Sequence, residues 1–149
     1  MATTYNGQSF DLHEGCQRLK VKGDTVAAMH DIAVLSGGYV TVGSAATSLK
    51  IVGTFAEAVD TTGAADGAEF DGWLGPQINL GLDKRIFWFD NATSGDAIVQ
   101  ADVGKKAYIN GARSVTDTST SRSTAGTILA LSPDAAYVKV ALEPLGIGL

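Results

Sequence analysis

The chain has 149 residues, of which 45% are hydrophobic and 18% are charged, and its formal net charge is −5. This size and hydrophobic content suit one domain with a buried core and exclude a chain that is disordered throughout. The acidic balance argues against nucleic acid or an anionic membrane as partner, because both need a basic surface. One cysteine cannot form an intrachain disulfide, and the chain does not begin as a signal peptide does. We therefore expect a soluble protein made in a reducing compartment.

The N-terminal residues 1–16 differ from the rest of the chain. They are polar and without a helical or strand period, and they carry isolated large apolar residues at Tyr5, Phe10 and Leu12. Two interpretations remain open: a frayed terminus, or an extended arm that becomes ordered on a partner through these three residues. We assign residues 1–16 to an N-terminal arm and residues 17–149 to a single β domain.

A β-hairpin is predicted early in the domain. Residues 32–35 and 39–42 are apolar segments separated by Ser36, Gly37 and Gly38. Two strand-like segments joined by glycines in this way are typical of a tight hairpin turn.

Residues 49–55 predict a strand with one buried face. The residues expected on that face are Leu49, Ile51, Gly53 and Phe55. Lys50 and Thr54 alternate with them and point away, as in a half-buried strand. After a loop at residues 60–67, glycines and a proline interrupt the chain, so that we expect only a short strand at residues 77–80.

Residues 85–89 form an aromatic strand that is apolar on both faces. Such a strand is buried on both sides within its domain, or it buries one face in the domain and the other in a partner. Phe87, Trp88 and Phe89 are therefore candidates for a subunit interface. Aromatic residues also line sugar sites, and Trp73 and Trp88 are the candidates for that role.

One short helix is predicted over residues 97–103, with Gly104 closing it. The dipeptide Asn110-Gly111 lies between strand-like segments and predicts a second hairpin. With strands at residues 127–131 and 136–142, the chain has eight or nine short strands. This pattern predicts a mostly β fold, a small barrel or a sandwich, with one short helix and an extended N-terminal arm.

No constellation of catalytic residues is evident. A nucleophile needs a neighbouring base, and the two histidines, His13 and His30, fall in the arm and in a predicted turn. His13, Glu14 and Cys16 are too few for a zinc site. The acidic residues near the middle of the chain lack the spacing of a calcium loop; they are Asp60, Asp66, Glu69 and Asp71. We expect no enzyme activity, no metal site and no cofactor.

Six segments carry a further signal through their order and spacing. They are residues 31–40 (DIAVLSGGYV), 49–57 (LKIVGTFAE), 59–67 (VDTTGAADG), 85–91 (RIFWFDN), 98–109 (IVQADVGKKAYI) and 123–129 (STAGTIL). Together they resemble the capsid decoration (cement) proteins of tailed phages, in particular the lambda-like head decoration group. The resemblance spans residues 25–142, and the stretch 73–83 departs from the compact segment usual in that group.

The resemblance implies a β-tulip-like fold and a structural role without catalytic residues. It implies a subunit, often of a homotrimer, that binds the major capsid protein on the outer surface of the virion and bridges capsomers. Such a protein is synthesised in the cytoplasm of the bacterial host. The arm of residues 1–16 would add a strand to an exposed sheet edge of the capsid protein, with Tyr5, Phe10 and Leu12 as capsid contacts.

Two other function classes remain open. A carbohydrate-binding or tail-associated adhesin-like module would use Trp73 and Trp88 as stacking platforms. A small enzyme would need a polar cluster that the sequence does not provide.

Overall fold

The computed structural model describes residues 16–81 and 85–146. The predicted mostly β class is confirmed, because strands dominate the described chain. The strands are β1 (Cys16–Arg18), β2 (Val26–Ala27), β3 (Ile32–Ser36), β4 (Tyr39–Val42), β5 (Lys50–Phe55), β6 (Val59–Asp60), β7 (Gln77–Leu80), β8 (Ile86–Asn91), β9 (Lys106–Ile109), β10 (Ser114–Thr116), β11 (Thr124–Leu131) and β12 (Tyr137–Leu142). Short 3-10 turns lie at Ser94–Asp96, Gln100–Asp102 and Pro144–Gly146. The predicted arm contacts Tyr5, Phe10 and Leu12 lie outside the described residues and stay predictions.

The C-terminal half forms a closed five-stranded barrel in the order β10-β8-β12-β11-β9. All its neighbours are antiparallel except β8 and β10, which run parallel. Closure pairs every strand on both sides, so the barrel exposes no unpaired edge. Buried apolar side chains such as Phe89, Ile109, Ile128 and Val140 belong to its core.

The second predicted hairpin is confirmed, although its loop is longer than a two-residue turn. Val115 lies opposite Ile109 in the pair of β9 and β10, and the Asn110 backbone N–H donates to the Ser114 carbonyl at 2.8 Å. Neither Asn110 nor Gly111 has a positive φ. The extra loop length lets the Ala112 carbonyl accept a 2.7 Å hydrogen bond from the Ile32 N–H.

The N-terminal half forms a five-stranded antiparallel sheet in the order β1-β7-β5-β3-β4. Its first hairpin is confirmed, with Ser36 opposite Tyr39 across the turn. The intervening Gly37 and Gly38 have φ values of 62° and 92°. A two-residue turn with positive φ at both positions follows the twist of the strands, and glycine reaches these angles without a Cβ clash.

One short segment near the start of the described chain contacts both outer strands of this sheet. β1 pairs with β7 at one edge, and Val21 then forms a parallel bridge with Val40 of β4 at the other. The sheet therefore curls around a second apolar cluster, whose largest buried side chains include Phe55 and Ile78. The small ribbon of β2 and β6 contributes Ala27 and Val59 to this cluster.

The predicted face of β5 is wrong beyond Ile51 because the strand contains a bulge. Ala33 pairs with Gly53 whereas Val34 pairs with Ile51, so that one extra β5 residue stands between the two pairs. A bulge reverses the alternation of side chains. Ile51 consequently packs in the barrel-side cluster, Phe55 packs in the second cluster, and Thr54 is buried instead of pointing to solvent.

The predicted helix at residues 97–103 is reduced to the 3-10 turn Gln100–Asp102, which Gly104 closes with a φ of 94°. A longer helix does not form because Ala97 and Val99 have extended backbone, with ψ values of 137° and 170°. The Asn91 side chain binds this extended segment. Its Oδ1 accepts from the Ile98 N–H at 2.8 Å, and its Nδ2 donates to the Ile98 carbonyl at 2.9 Å. None of the helical segments in the described ranges is long and apolar enough to span a membrane.

Candidate functional site

The aromatic strand β8 sends its side chains to two different environments. Phe89 is 2% exposed and Phe87 packs against the same core, with their rings 6.2 Å apart. The outward-facing Ile86 and Trp88 are 52% and 50% exposed. Of the three interface candidates, Trp88 is the most exposed, Phe87 is partly buried and Phe89 is buried. Within this chain the strand is therefore buried on one face only.

The neighbouring strand β12 extends this outer surface. Lys139 lies opposite Trp88, and its Nζ sits 5.2 Å from the centre of the Trp88 ring. Tyr137 is 51% exposed and lies opposite Asp90. We call the surface formed by Ile86, Trp88, Asp90, Tyr137 and Lys139 the β8–β12 face.

Sequence reasoning missed most of this face for a specific reason. The alternation of residues 136–142 places Tyr137 and Lys139 on one side of a strand. The pairing of β12 with β8, a strand far earlier in the chain, is what brings them beside Trp88. Alternation determines which residues share a face of one strand, whereas the register between distant strands determines the shared surface.

The other candidate aromatic residue, Trp73, lies near β1. It is 44% exposed, and the Arg18 guanidinium lies 4.4 Å from the centre of its ring. Arg18 is held there by a 2.9 Å hydrogen bond from its Nη1 to the Gly75 carbonyl. One face of each tryptophan is therefore associated with a cation of the same chain.

An open groove of about 290 Å³ lies where the start of β5 approaches the start of β11. Its charged side chains are Lys50, Arg122 and Glu143, and Glu143 is paired with Lys106 at 2.6 Å. The Ser123 hydroxyl in the groove donates to the Ala46 carbonyl at 2.7 Å and accepts the Leu49 N–H at 3.0 Å. These bonds use Ser123 to join two chain segments, and no base stands beside it among its hydrogen-bond partners.

The structure shows the surroundings of His30 and of the acidic residues near the middle of the chain. His30 is exposed in a turn with a φ of 77°, while His13 lies outside the described residues. Asp66 accepts the Gly23 N–H at 2.8 Å, and the Thr62 hydroxyl and N–H hold the pKa of Asp60 below its usual value. No group of three potential metal ligands is found in residues 16–81 and 85–146.

Comparisons of the chain with protein-family models, with curated proteins and with solved structures returned no match.

Proposed function

We propose that this chain is a structural protein of a tailed-phage virion, which binds the outer surface of the capsid and stabilises the shell by bridging capsomers. The proposal rests on the resemblance of residues 25–142 to capsid decoration proteins. Two of the segments that carry the resemblance coincide with strands of the fold: residues 31–40 contain β3 and the first half of β4, and residues 85–91 contain β8. On this proposal the partners are the major capsid protein and further copies of the chain, in a homotrimer.

The structural observation that supports capsid binding is the position of β1. Cys16, its first residue, pairs with Asn79 of β7, and β1 forms a ladder with β7 alone among the described strands. The described chain therefore begins in a strand at the edge of a sheet. A segment at a sheet edge is well placed to pair with a strand of another protein, with main-chain hydrogen bonds for affinity and anchors for specificity.

Weak contacts suffice for such a protein. An oligomer that holds several capsid subunits at once gains effective concentration for each further contact. The net charge of −5 also favours solubility of the free protein.

The experiment that tests the proposal is quantitative mass spectrometry of purified virions from the source that encodes the chain. We expect the chain in amounts comparable to the major capsid protein. Its absence, or its presence in a few copies per particle, would overturn the decoration role.

The role of the arm is tested on shells that lack the protein. We expect a variant with Tyr5, Phe10 and Leu12 replaced by serine to lose most shell binding in a co-sedimentation assay. The matched control replaces Thr3, Asn6 and Gln8 by serine and should bind like the unchanged protein. Equal binding of both variants would remove the arm from the proposal without affecting the virion measurement.

A second candidate function, a carbohydrate-binding or tail-associated adhesin-like module, is favoured by the exposure of Trp73 and Trp88. In that case glycans should shift the tryptophan fluorescence, and Trp73→Phe or Trp88→Phe should reduce the shift. The cations Arg18 and Lys139 already occupy one face of each ring, which makes this the weaker candidate. Fluorescence that no glycan changes would exclude stacking of sugars on these rings.

A further inference from the structure

The β8–β12 face combines large apolar side chains with two opposite charges. Its three large side chains, Ile86, Trp88 and Tyr137, are each about half exposed. Large apolar side chains gathered and exposed on one sheet face normally mark an interaction site. Tryptophan and tyrosine are also the residues enriched at the centres of protein interfaces. The face thus has the composition of an interface core.

The two charges on this face are arranged diagonally. In the register of β8 and β12, Trp88 lies opposite Lys139 and Asp90 lies opposite Tyr137, so that Asp90 and Lys139 stand one pair apart on the same surface. The salt bridges of the described residues do not include either of them; those pairs are Arg18–Glu57, Lys105–Asp102, Lys106–Glu143 and Arg113–Asp31. Among the described residues the face therefore carries one acid and one base that are in no ion pair, and the Lys139 Nζ lies over the Trp88 ring.

We propose that two copies of this chain associate through their β8–β12 faces about a two-fold axis. A two-fold contact requires a patch that is complementary to itself, because residue i of one copy meets residue j of the other and the reverse. A patch with one acid and one base beside an aromatic centre meets this requirement. Asp90 pairs with Lys139 of the partner subunit, Lys139 pairs with the partner's Asp90, and the aromatic side chains are buried between them.

The charges favour a second copy over other partners. A single lysine on an acidic protein gives little attraction to nucleic acid or to an anionic membrane. A sugar would have to compete with Lys139 for one face of the Trp88 ring. The inference does not depend on the proposed function, because the contact joins two single chains or two trimers equally and requires no capsid.

The first test measures the mass of the purified full-length chain by sedimentation equilibrium over a range of concentrations. We expect twofold association that Trp88→Glu weakens at least tenfold. Trp73→Glu is the matched control, since Trp73 has similar exposure but lies elsewhere, and it should leave association unchanged. Tyr137→Glu is a second variant if thermal unfolding shows that Trp88→Glu is not folded. A monomer at all concentrations, or association that neither variant of the face weakens, would overturn the proposal.

The second test uses charge reversal to separate contacts between copies from contacts within one copy. Asp90→Lys gives a face with two bases, and Lys139→Asp gives a face with two acids, so that each variant alone should associate more weakly than the unchanged chain. A mixture of the two variants should form heterodimers, because every pair across the two-fold axis is then opposite in charge. Failure of the mixture to associate better than either variant alone would contradict the proposed pairing.

Discussion

Arg113 and Asp31 form an ion pair that ties the barrel to the N-terminal sheet. The Arg113 Nη2 and Nε atoms lie 2.9 and 3.0 Å from Asp31 Oδ1. Asp31 Oδ2 accepts the Ala28 N–H at 2.9 Å, and Arg113 also donates to the Met29 carbonyl at 2.8 Å. The Asp31 side chain is largely buried while Arg113 is partly exposed. One guanidinium therefore holds the turn before β3 against the loop of the β9–β10 hairpin.

Replacing Arg113 by glutamine should destabilise the protein by about 1–3 kcal/mol, because a largely buried carboxylate loses its charged donors. The measurement is the free energy of unfolding in urea. Lys50→Gln removes an exposed cation without a salt bridge in the described chain and should change stability by less than about 0.5 kcal/mol. Equal changes in the free energy of unfolding for the two substitutions would show that the ion pair does not stabilise the fold.

Gly126→Ala should be destabilising because two barrel strands approach closely at this position. A Cβ on Gly126 would lie 2.0 Å from the Ala141 carbonyl oxygen of β12, and relief requires movement of paired backbone. We expect a loss at the upper end of the ~1–3 kcal/mol range for overpacking. Gly95→Ala is the matched control, since nothing lies within 4 Å of its added Cβ and its φ is not positive. The measurement is the Tm of both variants in thermal unfolding. Equal Tm values for Gly126→Ala and Gly95→Ala would contradict this prediction.

The protein should lose stability in acid below the ordinary aspartate pKa. The pKa values of Asp60, Asp102 and Asp134 are all lowered from 3.8. Hydrogen bonds to Thr62 stabilise charged Asp60, and backbone N–H groups of Val99 and Ala136 stabilise charged Asp102 and Asp134. A carboxylate with a lowered folded-state pKa contributes stability above the unfolded-state pKa, and that contribution disappears as the pH falls through the folded-state value.

The acid dependence is measured as the urea midpoint from neutral pH to below 3.8, the ordinary value for these groups. Asp102→Asn keeps the shape of the side chain and removes its titration, so that the fall of the midpoint with pH should become shallower. Glu69→Gln is the control, because no hydrogen bond or ion pair to Glu69 exists within the described chain. A slope that Asp102→Asn leaves unchanged would contradict this account.

Asn91→Asp tests the side chain that binds the extended segment at Ile98. The Asn91 Nδ2 group donates to the carbonyls of Ile98 and Ala135, each at 2.9 Å, and a carboxylate can donate to neither. We expect a loss of about 1–3 kcal/mol at neutral pH. Asn79→Asp is the matched control, with a single long donation of 3.4 Å to Thr54, and should cost less. Asn91→Asp should lower both the urea midpoint and the Tm more than Asn79→Asp does. The reverse order would contradict this prediction.

Local chemistry in the sequence was sufficient for several elements. Glycines at positions 37 and 38 permit the positive φ values of a tight turn, and the strand at Gln77–Leu80 follows directly on the glycine and proline that interrupt the chain before it. Gly104 ends the turn at Gln100–Asp102 for the same reason. These features depend on steric limits within a few neighbouring residues, which are visible in a single sequence.

The environment of each strand depended on partners far along the chain. The bulge between Ile51 and Gly53 reverses the faces of β5, and the extended segment at Ile98 is bound by the Asn91 side chain. Neither effect follows from the pattern of residues 49–55 or 97–103 alone, because each depends on a partner outside the segment.

The sequence by itself determined that the chain is mostly β and where several of its turns lie, because turn and strand preferences arise between near neighbours. The tertiary structure alone decided that β5 is covered on both faces, that Phe87 and Phe89 turn inward, and that Lys139 and Tyr137 join Trp88 and Asp90 on one surface. The physical reason is register: a shift of one residue between distant strands exchanges their inner and outer faces, and only the packing of the whole core selects one register.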